Sequence, residues 1–206
     1  MTASATLRFE ERERDHAAAA SIGLWVFIGV ATALFSLFAT AYVMRMSGSD
    51  AIALALPWQL WLSTALLAAG GAALRQAGAA ARAGRDLART RRLLLAGGLC
   101  ALAFLAVQLW AWQALLAAQV MPAGNPGGSF FYLLTAMHGL HVAGGLAGWA
   151  WTARAAWRPA ARLADLAWRI GLVARYWRFM LAVWLLLFAM LAWLTPEVAR
   201  VICGTA

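Results

Sequence analysis

The 206-residue chain is 64% hydrophobic and only 12% charged, a balance that takes it outside the range of water-soluble domains and into a membrane. Its net charge of +9 comes from seventeen basic residues, every one an arginine, set against eight acids. The arginines gather in alternate connections between apolar runs, so the charge is an orientation signal with anionic lipid as its additional partner, and nucleic acid is excluded as the explanation.

The N-terminal tail, residues 1–21, holds Arg8, Arg12 and Arg14 among Glu10, Glu11, Glu13 and Asp15. The apolar run that follows, at about 22–44, is longer than a signal core and lacks a small-residue cleavage site, so it is expected to stay as a span. Within it Gly29, Thr32, Ser36 and Thr40 form a small, weakly polar line, a candidate contact seam with another helix. A connection carrying Arg45 ends at Pro57, which suits the first turn of a helix, and Trp58 and Trp61 follow at the depth of an aromatic belt.

The second run spans about 57–76. The connection after it, "RQAGAAARAGRDLARTRR", is expected to be helical at both ends, continuing its flanking spans into water. The third run, about 93–119, contains Cys100 and Gln108, whose amide is expected to bond to a neighbouring helix to escape lipid. The turn formers of "VMPAGNPGGS" then predict a tight hairpin with the fourth run, about 129–153.

The fourth run carries Thr135, His138, His141, Gly145 and Gly148 at helical spacing on one stripe, which reads as a contact seam. The histidines could share a metal, but a haem between helices needs a ligand from each side and no other span contains a histidine, and a copper or zinc site needs one or two more donors, with none at hand. A hydrogen-bonded role is favoured: glue between helices, or donors to a lipid headgroup or neighbouring subunit. The fifth run, about 172–195, opens with Arg175, Tyr176, Trp177 and Arg178, read either as an interfacial anchor or as a phospholipid cradle. Cys203 lies beyond it, too far from Cys100 for a disulfide.

Fifteen of the seventeen arginines fall on one side, leaving Arg45 and Arg200 on the other. The expected fold is therefore all-α: a single domain, an integral membrane bundle of five transmembrane helices, N-terminus inside and C-terminus outside. No acid falls within a run, which argues against a proton pump or an ion-coupled transporter.

"FFYLLTAMHGLHVAGGLAG" resembles the signature of the cytochrome c oxidase subunit III family, a phenylalanine pair followed by Thr-Gly-x-His-Gly-x-His-Val, with Ala136 in place of the first glycine. "GLWVFIGVATALFSLFATAY", "LPWQLWLSTALL", "FLAVQLWAWQALL" and "RYWRFMLAVWLLLF" are similar to its other spans in the five-helix form. Ala31 and Ala111 stand where the family tends to have acids, Arg178 where it has histidine, and Leu181 where aspartate is common, so the resemblance is to a divergent branch.

It implies an accessory subunit of a bacterial inner-membrane oxidase that carries no catalytic centre, haem or copper of its own. Such a subunit packs on the catalytic subunit I, holds structural phospholipids, and supports proton uptake and turnover; subunit II and cytochrome c are partners through the complex. The equivalent subunit of a quinol oxidase or of a nitric oxide reductase is the alternative, with a small transporter or a b-type cytochrome further off.

Overall fold

The computed structural model describes residues 3–48, 55–84, 86–121, 126–159 and 161–204, with side chains from Asp15 onward. Among these residues there are six helices and no strand: α1 (Ala3–Met46), α2 (Gln59–Ala83), α3 (Leu87–Ala117), α4 (Pro126–Ala156), α5 (Leu163–Trp193) and α6 (Pro196–Cys203). Each expected apolar run falls in a helix of its own, because a backbone in lipid can satisfy its N–H and C=O groups only within the helix.

Among the described residues four segments are long and apolar enough to cross a membrane: Asp15–Met46, Leu87–Ala117, Pro126–Ala156 and Leu163–Trp193. Of the helices outside that set, α6 is short and α2 is rich in alanine and glycine and runs past Arg75 and Arg82. The small residues of α2 serve close approach. A β-carbon on Gly70 would lie 3.1 Å from the Cys100 β-carbon and 3.2 Å from the Gly97 carbonyl, and one on Gly97 would lie 2.6 Å from the Leu74 side chain. The α2–α3 pair is accordingly the most extensive contact in the fold, with α5 on its other side.

The connection between α2 and α3 is helical at both ends, as its composition predicts. Gly84, at φ 68°, caps α2 in the left-handed conformation, and Asp86 caps α3 by accepting from the Arg89 N–H at 2.7 Å. The expected α3–α4 hairpin is antiparallel and cross-bonded along its length. Tyr132 Oη donates to the Val120 carbonyl at 3.0 Å, Trp149 Nε1 to the Leu94 carbonyl at 2.8 Å, and Arg91 Nε to the Ala156 carbonyl at 2.8 Å. The turn formers at 122–125 lie outside the described residues.

One sequence expectation is reversed. The line Gly29, Thr32, Ser36 and Thr40 faces away from the bundle, and α1 packs on α4 and α5 through Ile28, Ala31, Phe35, Tyr42 and Met46. The hydroxyls of Thr32 and Thr40 return to the carbonyls of Ile28 and Ser36 at 2.7 and 3.0 Å, which hides their polarity and lets that face meet lipid. Phe35 packs against the rings of His138 and His141, and Tyr42 against Phe130, so dispersion contacts set which face turns inward.

Candidate functional site

Two environments meet at α4, one sealed and one open. The sealed one is a polar layer inside hydrocarbon. His138 has no exposed surface, and its ring lies among Trp184 of α5 at 5.2 Å, Phe104 of α3 at 5.7 Å and Phe35 of α1 at 6.3 Å between centroids. Neither ring nitrogen has a hydrogen-bond partner. Trp184 donates to Thr64 Oγ1 of α2 at 2.8 Å and stacks parallel on Phe188. Gln108 reaches Ser63 Oγ through Nε2 at 3.5 Å, while its Oε1 is unpaired.

The expected bond from Gln108 to a neighbouring helix is therefore present on one side of the amide. Leaving a buried polar atom unpaired costs about 1–3 kcal/mol, so the His138 nitrogens and Gln108 Oε1 weaken the layer, which ring packing and the Trp184–Thr64 and Gln108–Ser63 bonds hold together. Above it, Thr135 accepts from Trp112 Nε1 at 3.0 Å and donates to the Phe131 carbonyl at 2.6 Å, tying α3 to α4.

His141 behaves differently from its neighbour. Its Nδ1–H donates to the Met137 carbonyl at 2.7 Å, a bond within α4, so its link to α1 is made by rings: Phe35 at 5.2 Å and Phe27 at 5.8 Å. A carbonyl can only accept, which assigns the proton to Nδ1. The interhelical bond at this position belongs to the backbone, where the His141 carbonyl accepts from Tyr176 Oη of α5 at 2.8 Å. One turn on, Gly145 lets α5 close in, since a β-carbon there would lie 2.7 Å from Tyr176 and 2.9 Å from Trp177.

Arg175, Tyr176, Trp177 and Arg178 do not share a site. Successive residues sit about 100° apart on a helix, so four of them fan around most of its circumference. Trp177 is sealed in the bundle against Gly145, with its Nε1 unpaired, and Tyr176 is buried beside it. Arg175 donates to Ser21 Oγ of α1 at 2.9 Å and lies 5.5 Å from the Trp25 ring, whereas Arg178 is exposed.

The open environment is a cleft of about 730 Å³ between α1, α4 and α5. Leu24 and Phe27 form one wall, His141, Gly144 and Gly148 another, and Tyr176 the third. Gly144 and Gly148 have nothing within 4 Å of an added β-carbon, so they widen the cleft, and no other helix of this chain packs closely on them. Among the described residues its one charged lining residue is Arg169, whose guanidinium lies 3.9 Å from the Trp151 ring centre and 4.9 Å from that of Trp168.

Of the residues singled out from sequence, His141, Gly145, Gly148 and Tyr176 reach the cleft; Thr135, His138, Gln108 and Trp177 lie in the interior. Sequence reasoning missed Arg169 and Trp151. Both were legible as residues at a span end, but the connection between α4 and α5 brings them together, and no spacing rule encodes that.

The family model for cytochrome c oxidase subunit III matches residues 21–195 of the chain. No curated protein matches it.

Proposed function

The chain belongs to the cytochrome c oxidase subunit III family, which makes it one subunit of a multisubunit haem-copper oxidase, and we propose that it is the accessory, non-redox one. In this reading it crosses a bacterial inner membrane five times with its N-terminus inside, packs on subunit I, and holds phospholipid in the α1–α4–α5 cleft. The electron path from cytochrome c to dioxygen, with its haem and copper, runs through the partner subunits.

The observation that carries this reading is how the motif histidines are used. A haem centre needs axial ligands presented to it, and a copper centre needs two or more imidazole or thiolate donors facing one point. Here the His138 ring is enclosed by Phe35, Phe104 and Trp184, and the His141 Nδ1 proton is held by the Met137 carbonyl. Among the described residues no three of His, Cys, Asp and Glu group together. With His138 enclosed, His141 is left as a single imidazole whose other nitrogen can face the cleft, fewer donors than a copper centre needs, and this supports the non-redox reading.

A tag on this chain is expected to co-purify a haem-bearing catalytic subunit, with oxygen consumption driven by reduced cytochrome c. The chain expressed alone is expected to give no haem band. A band from the isolated chain that disappears in His141→Ala overturns the reading, and turnover with quinol but not cytochrome c assigns the complex to the quinol branch.

The lipid part rests on the cleft itself. An apolar trough with Arg169 at its edge matches acyl chains beneath an anionic headgroup, and a basic residue near the surface adds about 1 kcal/mol of attraction. Arg169→Ala is expected to deplete anionic lipid from the purified chain by several-fold in native mass spectrometry, while Arg178→Ala leaves it unchanged. Equal lipid in wild type and Arg169→Ala removes the headgroup assignment.

A further inference from the structure

After α5 the chain turns at Leu194 and Thr195 into α6, a helix of 8 residues with the sequence "PEVARVIC". Its ends are chemically defined. Thr195 Oγ1 accepts from the Val198 N–H at 3.5 Å, Pro196 occupies the first turn, and Gly204 at φ 68° closes the other end. The segment is therefore built as a helix in its own right.

At about 100° per residue its side chains divide into three faces. Pro196 and Ala199, one turn apart, are buried, and α6 packs on α1. Glu197 and Arg200, also one turn apart, are exposed and charged, and a hydrogen bond from the Thr195 hydroxyl holds the Glu197 carboxyl below its ordinary range, keeping that face ionised. Val198, Val201 and Ile202 form the remaining face and are 44, 70 and 62% exposed. Trp193, at the end of α5 just before the turn, is 74% exposed.

A helix with one face on protein, one charged and one apolar face open has the partition expected at the boundary of a bilayer, where protein, water and hydrocarbon meet. Trp193 is the residue type enriched at that depth. A second protein on the apolar face is the weaker fit. Three side chains over two turns offer far less than the roughly 800 Å² per partner that a stable interface buries.

We infer that α6 is an interfacial helix lying along the membrane surface, with Val198, Val201 and Ile202 in the headgroup–acyl boundary and Glu197 and Arg200 in water. It fastens the end of α5 to that of α1 at the depth where both leave the lipid.

The test uses the full chain in phospholipid nanodiscs, with Cys100→Ala and Cys203→Ser removing the native thiols. A nitroxide is attached singly at Ile202→Cys or Glu197→Cys, and collisions with oxygen and with a water-soluble nickel chelate are measured by electron paramagnetic resonance. At position 202 oxygen is expected to outweigh nickel by several-fold, and at 197 the order is expected to reverse. Nickel access at both positions means the helix stands in water, and protection of 202 from both reagents means that protein covers it. Either result overturns the inference.

Discussion

Replacing Gly98 by alanine is expected to destabilise the bundle by about 1–3 kcal/mol, the range for overpacking a filled interior. The added methyl would overlap the Trp149 ring. That ring cannot slide aside freely, because its Nε1–H is bonded to the Leu94 carbonyl at 2.8 Å, one turn from Gly98 on the same helix. Breaking the bond adds about 0.6 kcal/mol, the mean measured for interhelical bonds in a membrane. Gly71→Ala is the control. No heavy atom lies within 4 Å of its added β-carbon, so the gain in helix propensity, about 1 kcal/mol, is expected to leave it as stable as wild type or more so. Thermal denaturation of the detergent-solubilised chain reads both, and a Gly98→Ala melting point at or above that of Gly71→Ala would remove the close α3–α4 approach from the account.

His138 gives the second large effect, with opposite outcomes for two substitutions. His138→Ala empties a space ringed by Phe35, Phe104 and Trp184, and cavities of this kind cost on the order of 2–4 kcal/mol. His138→Phe keeps the ring and removes two buried nitrogens that have no partner, so it is expected to be neutral within about 1 kcal/mol or stabilising. If the histidine held its neighbours by hydrogen bonds, both variants would lose comparable stability. The same denaturation measurement separates the two, and a His138→Phe variant as weak as His138→Ala would mean that the ring nitrogens are engaged.

These two residues show where sequence reading works on this chain and where it stops. His138 was legible as special, because an ionisable ring in an apolar run is costly wherever it points. Its surroundings were not legible, since Phe35, Phe104 and Trp184 come from three other helices. Gly98 carried no signal at all beyond being small. The Arg175 to Arg178 run suggested a cradle because the four are adjacent in the chain, yet adjacency on a helix disperses side chains. Only the fold assigns Arg175 to α1, Trp177 to the interior and Arg178 to the exterior.

By itself the sequence determined the membrane environment, the helical character of every long apolar run and of both ends of the connection between α2 and α3, and the motif shared with the family. Each of these depends on composition or on neighbours within a few residues. The tertiary structure alone decided which face of each helix turns inward, that α2 and α3 pair most closely, and that Arg169 meets Trp151 beside a cleft. The reason is the solvent. In water a polar face marks the outside of a helix, but in hydrocarbon a lipid-facing surface is as apolar as a buried one, so periodicity loses its sign and shape complementarity between helices chooses instead.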